Sequence, residues 1–368
     1  MIRFIALSGF LGAGKTTTLL AASRELEKRG RRVAVITNDQ GADLVDTQLM
    51  KSQMGAVGEV TGGCFCCRFE DLMEVAQDLI DRGAADTLLA ESVGSCTDLQ
   101  ATVVLPLKRY YGDRFLVSPL TTVVEPDRYQ AFTSSLPVGE KNADLSYLFG
   151  KQLEEADIIA LNKTDQLPPT APEKITSQLG LRFPEATAII PYSATTGTGI
   201  PDLVDAWLST SAASAPVLSI DYDRYASAEA HLAWLNQRFD TAAVKDAHGF
   251  ASETWATTAL THLSAAAAEH GWTVGHAKVT LTSGAALAKA SLVAAGAEPI
   301  AYSTATETMR SAEVRFNARV ACDPLELDEA VRAAVRTADE ACGCASVATA
   351  AATAFRPGYP RPVHRLEA

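Results

Sequence analysis

The chain has 368 residues, a formal net charge of −12, 47% hydrophobic residues and 21% charged ones. That is enough apolar material for one large domain plus a smaller one. The acidic balance argues against a general nucleic-acid or anionic-membrane surface, which basic patches serve, and no apolar run reaches the roughly 18 residues of a membrane span, so neither nucleic acid nor a membrane is expected as a partner.

The opening run, Met1-Ile2-Arg3-Phe4-Ile5-Ala6-Leu7-Ser8, leads straight into a glycine loop. It carries no signal-peptide cleavage pattern and reads as a first strand over 2–8. A cytoplasmic location is expected. There the seven cysteines stay reduced, and a cluster among them points to metal or redox chemistry. Further strand patterns fall at 32–38, 87–91, 118–125, 157–161 and 188–192. Several are near-continuous apolar runs, suited to a parallel sheet buried on both faces. Helical patterns lie between them at 16–29, 70–82, 99–111, 145–156 and 199–208. The alternation predicts an α/β fold over 1–208, a doubly wound, mostly parallel P-loop sheet.

Residues 209–215 are small and polar or Ala and open a linker expected over 209–227. A smaller α+β domain with an open antiparallel sheet is expected over 228–345. Its strands are read near 229–238, 276–282, 288–294 and 313–321, and its helices near 251–270 and 325–341. The tail, 346–368, is expected to be extended, because Pro357, Pro360 and Pro362 block a helix.

Gly9-Phe10-Leu11-Gly12-Ala13-Gly14-Lys15-Thr16 fits the Walker A pattern between a strand and a helix. Its glycines let backbone N–H groups wrap phosphate oxygens, and the helix N-terminus adds its positive end. Gly9, Gly12, Ala13, Gly14, Lys15, Thr16 and Thr17 are therefore candidate nucleotide contacts. Lys15 is expected on the β- and γ-phosphates and the Thr16 hydroxyl on Mg²⁺. A glycine turn that binds nothing is the alternative, and the strand–loop–helix setting weighs against it.

Asn162-Lys163-Thr164-Asp165 follows the fifth of the early strands. In a P-loop protein this N-K-x-D element reads guanine. The Asp165 carboxylate can accept from the base N1–H and exocyclic amine, which adenine does not offer, and an unpaired carboxylate costs about 1–3 kcal/mol or more. The Lys163 stem can pack on the base and Asn162 can tie the loop down. Ser193 and Ala194, after the next strand, can offer backbone donors to the guanine O6. Read alone, 162–165 is equally a polar capping turn.

Two strand ends can read the γ-phosphate: Asn38-Asp39-Gln40-Gly41-Ala42-Asp43 and Glu91-Ser92-Val93-Gly94. Asp39 or Glu91 can hold Mg²⁺-bound water or orient the attacking water. The Gly94 N–H can sense the γ-phosphate. With Lys15, these acids form the candidate catalytic set, though acids at strand ends are often just solvated.

Thr61-Gly62-Gly63-Cys64-Phe65-Cys66-Cys67 places three thiols within four residues, flanked by glycines. Thiolates suit Zn²⁺, and tetrahedral sites are often Cys-rich. Cys64 and Cys66 project to one side of an extended segment, and Cys67 needs a local turn to join them. Three ligands leave a position for another residue, water or a receiving protein. Buried small hydrophobes or a redox pair remain alternatives. Cys96, Cys342 and Cys344 read as packing residues, and the six histidines form no ligand spacing.

Together these segments resemble the CobW-like metallochaperone GTPases of the SIMIBI class, a family similar to the urease and hydrogenase nickel-insertion GTPases. The resemblance rests on residues 9–18, 38–46, 62–67, 91–94 and 162–165 and covers roughly the first 210. It implies GTP hydrolysis with Mg²⁺, coupled to binding of Zn²⁺ or another transition metal. It implies Cys64, Cys66 and Cys67 as the metal thiolates and Glu91 with Gly94 as the Walker B-like element. GTP and GDP, a client metalloprotein and a nucleotide-dependent homodimer are the implied partners. The family's usual N-E-x-G-E is here Asn38-Asp39-Gln40-Gly41-Ala42, lacking the second acid. The reading that follows is a metallochaperone GTPase. Its alternatives are a GTP-dependent activator of a cobalamin- or metal-dependent enzyme, or a slow-turnover metal sensor.

Overall fold

The computed structural model describes residues 1–38, 50, 54–133, 140–209, 217–244, 249–304, 308–349 and 353–367, and the side chains of all these except 140–143 and 353. The chain divides into two compact units. One is built on residues up to Ala228 and includes Tyr359–Ala368, and the other is built on Glu229–Gly358.

The first unit is an α/β domain. Its strands are β1 (Ile2–Ser8), β2 (Val33–Asn38), β3 (Val57–Val60), β4 (Thr87–Glu91), β5 (Phe115–Val117), β6 (Thr121–Val124), β7 (Ile158–Leu161) and β8 (Ala188–Pro191). They run in the order β3-β2-β4-β1-β6-β7-β8, with β5 also on β1, and every pairing is parallel. Every residue of β2, β4, β6 and β7 is buried, which is why these strands read as apolar runs rather than alternating ones. β1 sits between β4 and β6, where the strand order reverses. Loops leaving the carboxyl ends of β1 and β4 therefore open into the crevice where such sheets bind ligands.

The span 118–125, expected as one strand, is two. β5 pairs with Ile2, Arg3 and Phe4, and β6 with Leu7 and Ser8. Pro119 between them has no N–H for the ladder. The span 99–111 begins as a π-helical stretch, Gln100–Val104, before the α-helix Leu105–Tyr111. Pro106 at the start of that helix cannot donate back to the preceding turn. Helices Pro126–Thr133 and Ala171–Arg182 and strand β3 had no sequence-based counterpart. Helix Tyr222–Ala230 begins inside the span expected as a linker.

The second unit is an antiparallel sheet with two long helices, Ser252–Glu269 and Pro324–Cys342. Its strands are β9 (Ala233–Ala243), β10 (Val274–Ser283), β11 (Ala286–Leu292), β12 (Ile300–Ser303), β13 (Ser311–Val320), β14 (Cys344–Ala348) and β15 (Thr353–Phe355). The order is β12-β11-β10-β13-β9-β14, with β15 also on β9. The predicted α+β class holds. Trp255, Leu260 and Leu263 of one helix and Val331 and Val335 of the other share one buried core with Val279, Val314 and Phe316 of the sheet. Asp323 caps the second helix in a capping box with Glu326. Strands β12, β14 and β15 are short additions at the sheet margin, and β14 and β15 pair part of the span expected as an extended tail with β9.

Candidate functional site

The loop leaving β1 is shaped by three glycines with positive φ, Gly9, Gly12 and Gly14. A Cβ on Gly9 would stand 2.3 Å from the Val123 carbonyl, and one on Gly14 would stand 2.4 Å from Asn162 Nδ2. The loop can approach β6 and the 162–165 turn only because those side chains are missing. Lys15 opens the helix Lys15–Lys28, and its Nζ donates to Gly9 O at 2.7 Å and Phe10 O at 3.4 Å. The same ammonium thus lies over the loop whose N–H groups a phosphate would meet. Thr16 is buried and Thr17 is exposed.

The Thr16 hydroxyl donates to both Glu91 carboxylate oxygens at 3.1 Å. This brings the two candidate acid-and-metal positions from β1 and β4 together, both buried. A hydroxyl beside a carboxylate is the hard-oxygen donor set that Mg²⁺ takes. Gly94 packs against the phosphate loop so closely that a Cβ would lie 3.0 Å from the Leu11 nitrogen. Asp39 and residues 40–46 lie outside the described residues.

Asn162 joins the phosphate loop to the two loops of the expected base site. Its Nδ2 donates to Ala13 O at 2.9 Å and its Oδ1 accepts from the Ala194 N–H at 3.0 Å. Lys163 has φ 60, and its Nζ donates to Glu125 Oε2 at 3.1 Å. Asp165 sits in the one-turn helix Thr164–Gln166 and is exposed. Ser193 is buried, and its hydroxyl accepts from the Thr196 N–H. Tyr192 OH and the Thr18 hydroxyl meet at 2.7 Å, so the base-side loop is also fastened to the first helix.

The cysteines gather as a turn brings them round. The Cys67 and Arg68 N–H groups both donate to Cys64 O at 2.9 Å. Cys64 Sγ then lies 2.8 Å from Cys66 Sγ and 3.4 Å from Cys67 Sγ, and the last two are 3.7 Å apart. A tetrahedral Zn²⁺ with 2.3 Å bonds needs sulfurs about 3.8 Å apart, so the spacing fits with small adjustment. Among the described residues this is the group of three or more Cys, His, Asp or Glu donors near enough to hold an ion. Asn38, at the end of β2, fixes the loop. Its amide donates to Val60 O at 3.0 Å and Gly63 O at 2.8 Å, and its carbonyl accepts from the Phe65 N–H at 2.9 Å.

All three thiols are held above the ordinary range. Hydrogen bonds to Cys64, Cys67 and Cys96, with burial, push Cys66 well up. For Cys64, hydrogen bonds with Cys66 and Cys67 act downward and are outweighed by Cys96 and burial. The contact with Cys64, with partial burial, pushes Cys67 to about 11, against the lowering effect of the Arg361 N–H. The thiols are therefore neutral near pH 7, and metal uptake must release their protons.

The chain's last residues close over this loop, which the sequence did not announce. The Arg361 N–H donates to Cys67 Sγ at 3.2 Å and the Val363 N–H to Cys66 O at 2.9 Å. His364 packs edge-on against Phe69, and Arg365 Nε donates to buried Asp98 at 2.8 Å. Cys342 and Cys344 flank the end of helix Pro324–Cys342 in the other unit, where Cys344 Sγ faces Asp339.

The profile of a family described as CobW/HypB/UreG, nucleotide-binding domain, matches residues 3–189. The zinc chaperone CobW of Pseudomonas aeruginosa is 30% identical over 217 residues, 51% of this chain and 55% of that protein. The zinc chaperone YeiR of Escherichia coli is 30% identical over 176 residues, 48% of this chain and 50% of that protein. The chain spans about half the length of the curated relatives it matches. Among solved structures, HypB from Helicobacter pylori in complex with nickel aligns over 56% of this chain and 86% of that one, at 14% identity and a TM-score of 0.41.

Proposed function

The chain belongs to the CobW/HypB/UreG family, and from that membership we propose that it is a cytoplasmic GTP-hydrolysing metallochaperone. It carries Zn²⁺, or another thiophilic transition metal, on Cys64, Cys66 and Cys67 and passes it to a client metalloprotein. The observation that supports this most is the thiol trio, with sulfurs 2.8–3.7 Å apart. It is anchored by Asn38 to the carboxyl end of β2, the same edge of the sheet that carries the phosphate loop.

In this reading Lys15 leaves the Gly9 and Phe10 carbonyls to pair with the β- and γ-phosphates. Backbone N–H groups at 9–17 cradle the phosphates, and Asp165 selects guanine with Asn162 holding its loop. The Thr16 hydroxyl, with Glu91 beside it, would hold Mg²⁺, which when bound would supply charge neutralisation at the phosphates. Asp39 or Glu91 orients the attacking water, and Gly94 reads the γ-phosphate. Binding of GTP favours one arrangement of the Cys64–Cys67 segment after β3 and of the loop after β4, and hydrolysis returns them to the other. The metal is the cargo of that cycle. Exchange of a homodimer for a client complex is the expected partner change.

The test is the GTP hydrolysis rate of the full chain with and without Zn²⁺, paired with metal content after loading. A rate that responds to Zn²⁺ and one bound ion per chain are expected. An unaffected rate with no ion bound rejects the reading. For the base site, Asp165→Asn is expected to shift preference from guanosine to xanthosine triphosphate, and a variant that keeps its preference for GTP removes Asp165 from that role.

A further inference from the structure

The loop after β4 runs through Ser92, Val93, Gly94, Ser95 and Cys96, all buried. The Ser92 N–H donates to Leu7 O at 2.9 Å, and the Cys96 N–H closes a turn on Val93 O at 3.0 Å. Gln152, in the helix Glu140–Glu154, is fully buried. Its Nε2 donates to Gly94 O at 3.1 Å and to Cys96 O at 2.7 Å. The carbonyls on either side of the Gly94 N–H are therefore both held, Val93 O by the Cys96 N–H and Gly94 O by Gln152. An amide nitrogen carries two hydrogens, and here each meets a carbonyl, so only this end of the amide suits the loop. Oε1 is left buried with no donor among the described residues. A side chain that only filled space here would be apolar, like Leu148 and Leu153 of the same helix, and would leave no polar atom stranded. One turn further on, Glu155 accepts from the Thr97 hydroxyl and the Gln100 N–H, each at 3.2 Å. The loop is thus mounted on one helix end. It also abuts the phosphate loop, because a Cβ on Gly94 would stand 3.0 Å from the Leu11 nitrogen.

We propose that Gln152 is a positioning residue for γ-phosphate recognition: by holding Gly94 O and Cys96 O it fixes the direction of the Gly94 N–H before nucleotide arrives. The inference rests on the GTPase reading, in which Gly94 reads the γ-phosphate, and deepens it. A donor already aimed loses little freedom when the phosphate reaches it, and it needs no rearrangement as charge develops there. GDP has no γ-phosphate and gains nothing from that order. Gln152 therefore discriminates GTP from GDP while touching neither. Thr122 provides the contrast. Its hydroxyl donates to Gln152 O at 2.9 Å, which ties the same helix turn to β6 without holding the loop.

The experiment titrates the full chain, with Mg²⁺ present, with fluorescent GDP and with a fluorescent non-hydrolysable β,γ-imido analogue of GTP, and follows single-turnover GTP hydrolysis beside them. Gln152→Met keeps the length and removes both donors. It is expected to bind the analogue about tenfold more weakly, the scale of one buried hydrogen bond, and to hydrolyse bound GTP about tenfold more slowly. Its GDP affinity is expected to match wild type, which also reports that the variant is folded. Gln152→Asn, whose amide falls short of the two carbonyls, should repeat the pattern, and it decides the matter where the Met variant does not fold. Thr122→Val removes another buried hydrogen bond from the same turn and should keep the wild-type ratio of the two affinities. Undiminished analogue affinity, equal losses for GDP and the analogue, or a Thr122→Val ratio as low as that of the Gln152 variants makes Gln152 a structural tie only and overturns the proposal. A wild type that binds no guanine nucleotide overturns this inference and the GTPase reading together, whereas a hydrolysis rate indifferent to Zn²⁺ removes only the metal coupling.

Discussion

The Thr16 hydroxyl donates to both oxygens of Glu91 at 3.1 Å, joining positions 75 residues apart in the chain. The carboxylate is therefore already at the place where the threonine hydroxyl would meet Mg²⁺. Glu91→Gln keeps the size and one acceptor but loses the charge. GTP hydrolysis is expected to fall by roughly a hundredfold or more, with Mg²⁺-independent GDP binding nearly unchanged. Single-turnover hydrolysis beside nucleotide titration makes the comparison. An unchanged rate would take Glu91 out of the chemistry.

Asn162 spans two buried partners, accepting from the Ala194 N–H and donating to Ala13 O. Asn162→Ala leaves both unpaired, a loss of about 2 kcal/mol. For a domain of this size that lowers Tm by roughly 4–8 °C. Guanine nucleotide affinity is expected to fall with it, because the phosphate loop and the base loop lose their common tie. Differential scanning fluorimetry with and without GDP measures both effects. A variant with wild-type Tm would show that neither partner depends on the amide.

Arg365 reaches from the chain end to Asp98, whose own backbone has φ 67 and whose carboxylate also accepts from Tyr222 OH. Arg365→Ala is expected to lower stability by about 2 kcal/mol, the scale of a hydrogen bond to a charged group. It should also loosen the strand of chain that lies over Cys67. Adding Asp98→Asn should recover part of the stability by removing the stranded charge. The second readout is the rate at which a thiol reagent modifies Cys67, expected to rise in Arg365→Ala. A rate equal to wild type would mean the tail does not shield the thiol.

The parallel α/β unit was legible because its central strands are buried on both faces and so read as apolar runs. Pro119 and Pro106, each visible in the sequence, broke a strand and a helix start that hydrophobic pattern alone joined together. Strand β3 escaped because Gly58 and Glu59 give it no apolar period. Strands β12, β14 and β15 escaped because edge strands are partly solvated. Among candidate site residues, the phosphate loop and the cysteine run are local in sequence and were plain. Asn38, Gln152 and Arg365 were not, because each acts across the fold on loops far away in the chain, and no spacing rule marks such a residue.

Glu155 is fully buried and accepts from the Thr97 hydroxyl and the Gln100 N–H. Burial first, then the nearby Asp98 charge, raise its carboxyl from 4.5 to about 8. A carboxyl raised on folding binds its proton more tightly in the folded chain than in the unfolded one. Its stabilising effect is therefore complete below pH 4.5 and is lost as pH rises through about 8. The loss is on the order of 4 kcal/mol across that window. Urea unfolding at several pH values between 5.5 and 8.5 is expected to show stability declining toward the alkaline end. Glu155→Gln keeps an acceptor and carries no proton to lose, so its curve should be flatter and lie above wild type at pH 8.5. Parallel curves for the two proteins would mean that the carboxyl does not titrate in this range. Asp98→Asn offers the cross-check. Removing the neighbouring charge lowers the Glu155 pKa in the folded chain and leaves the unfolded value unchanged, so the decline should end at a lower pH and be smaller in total than in wild type.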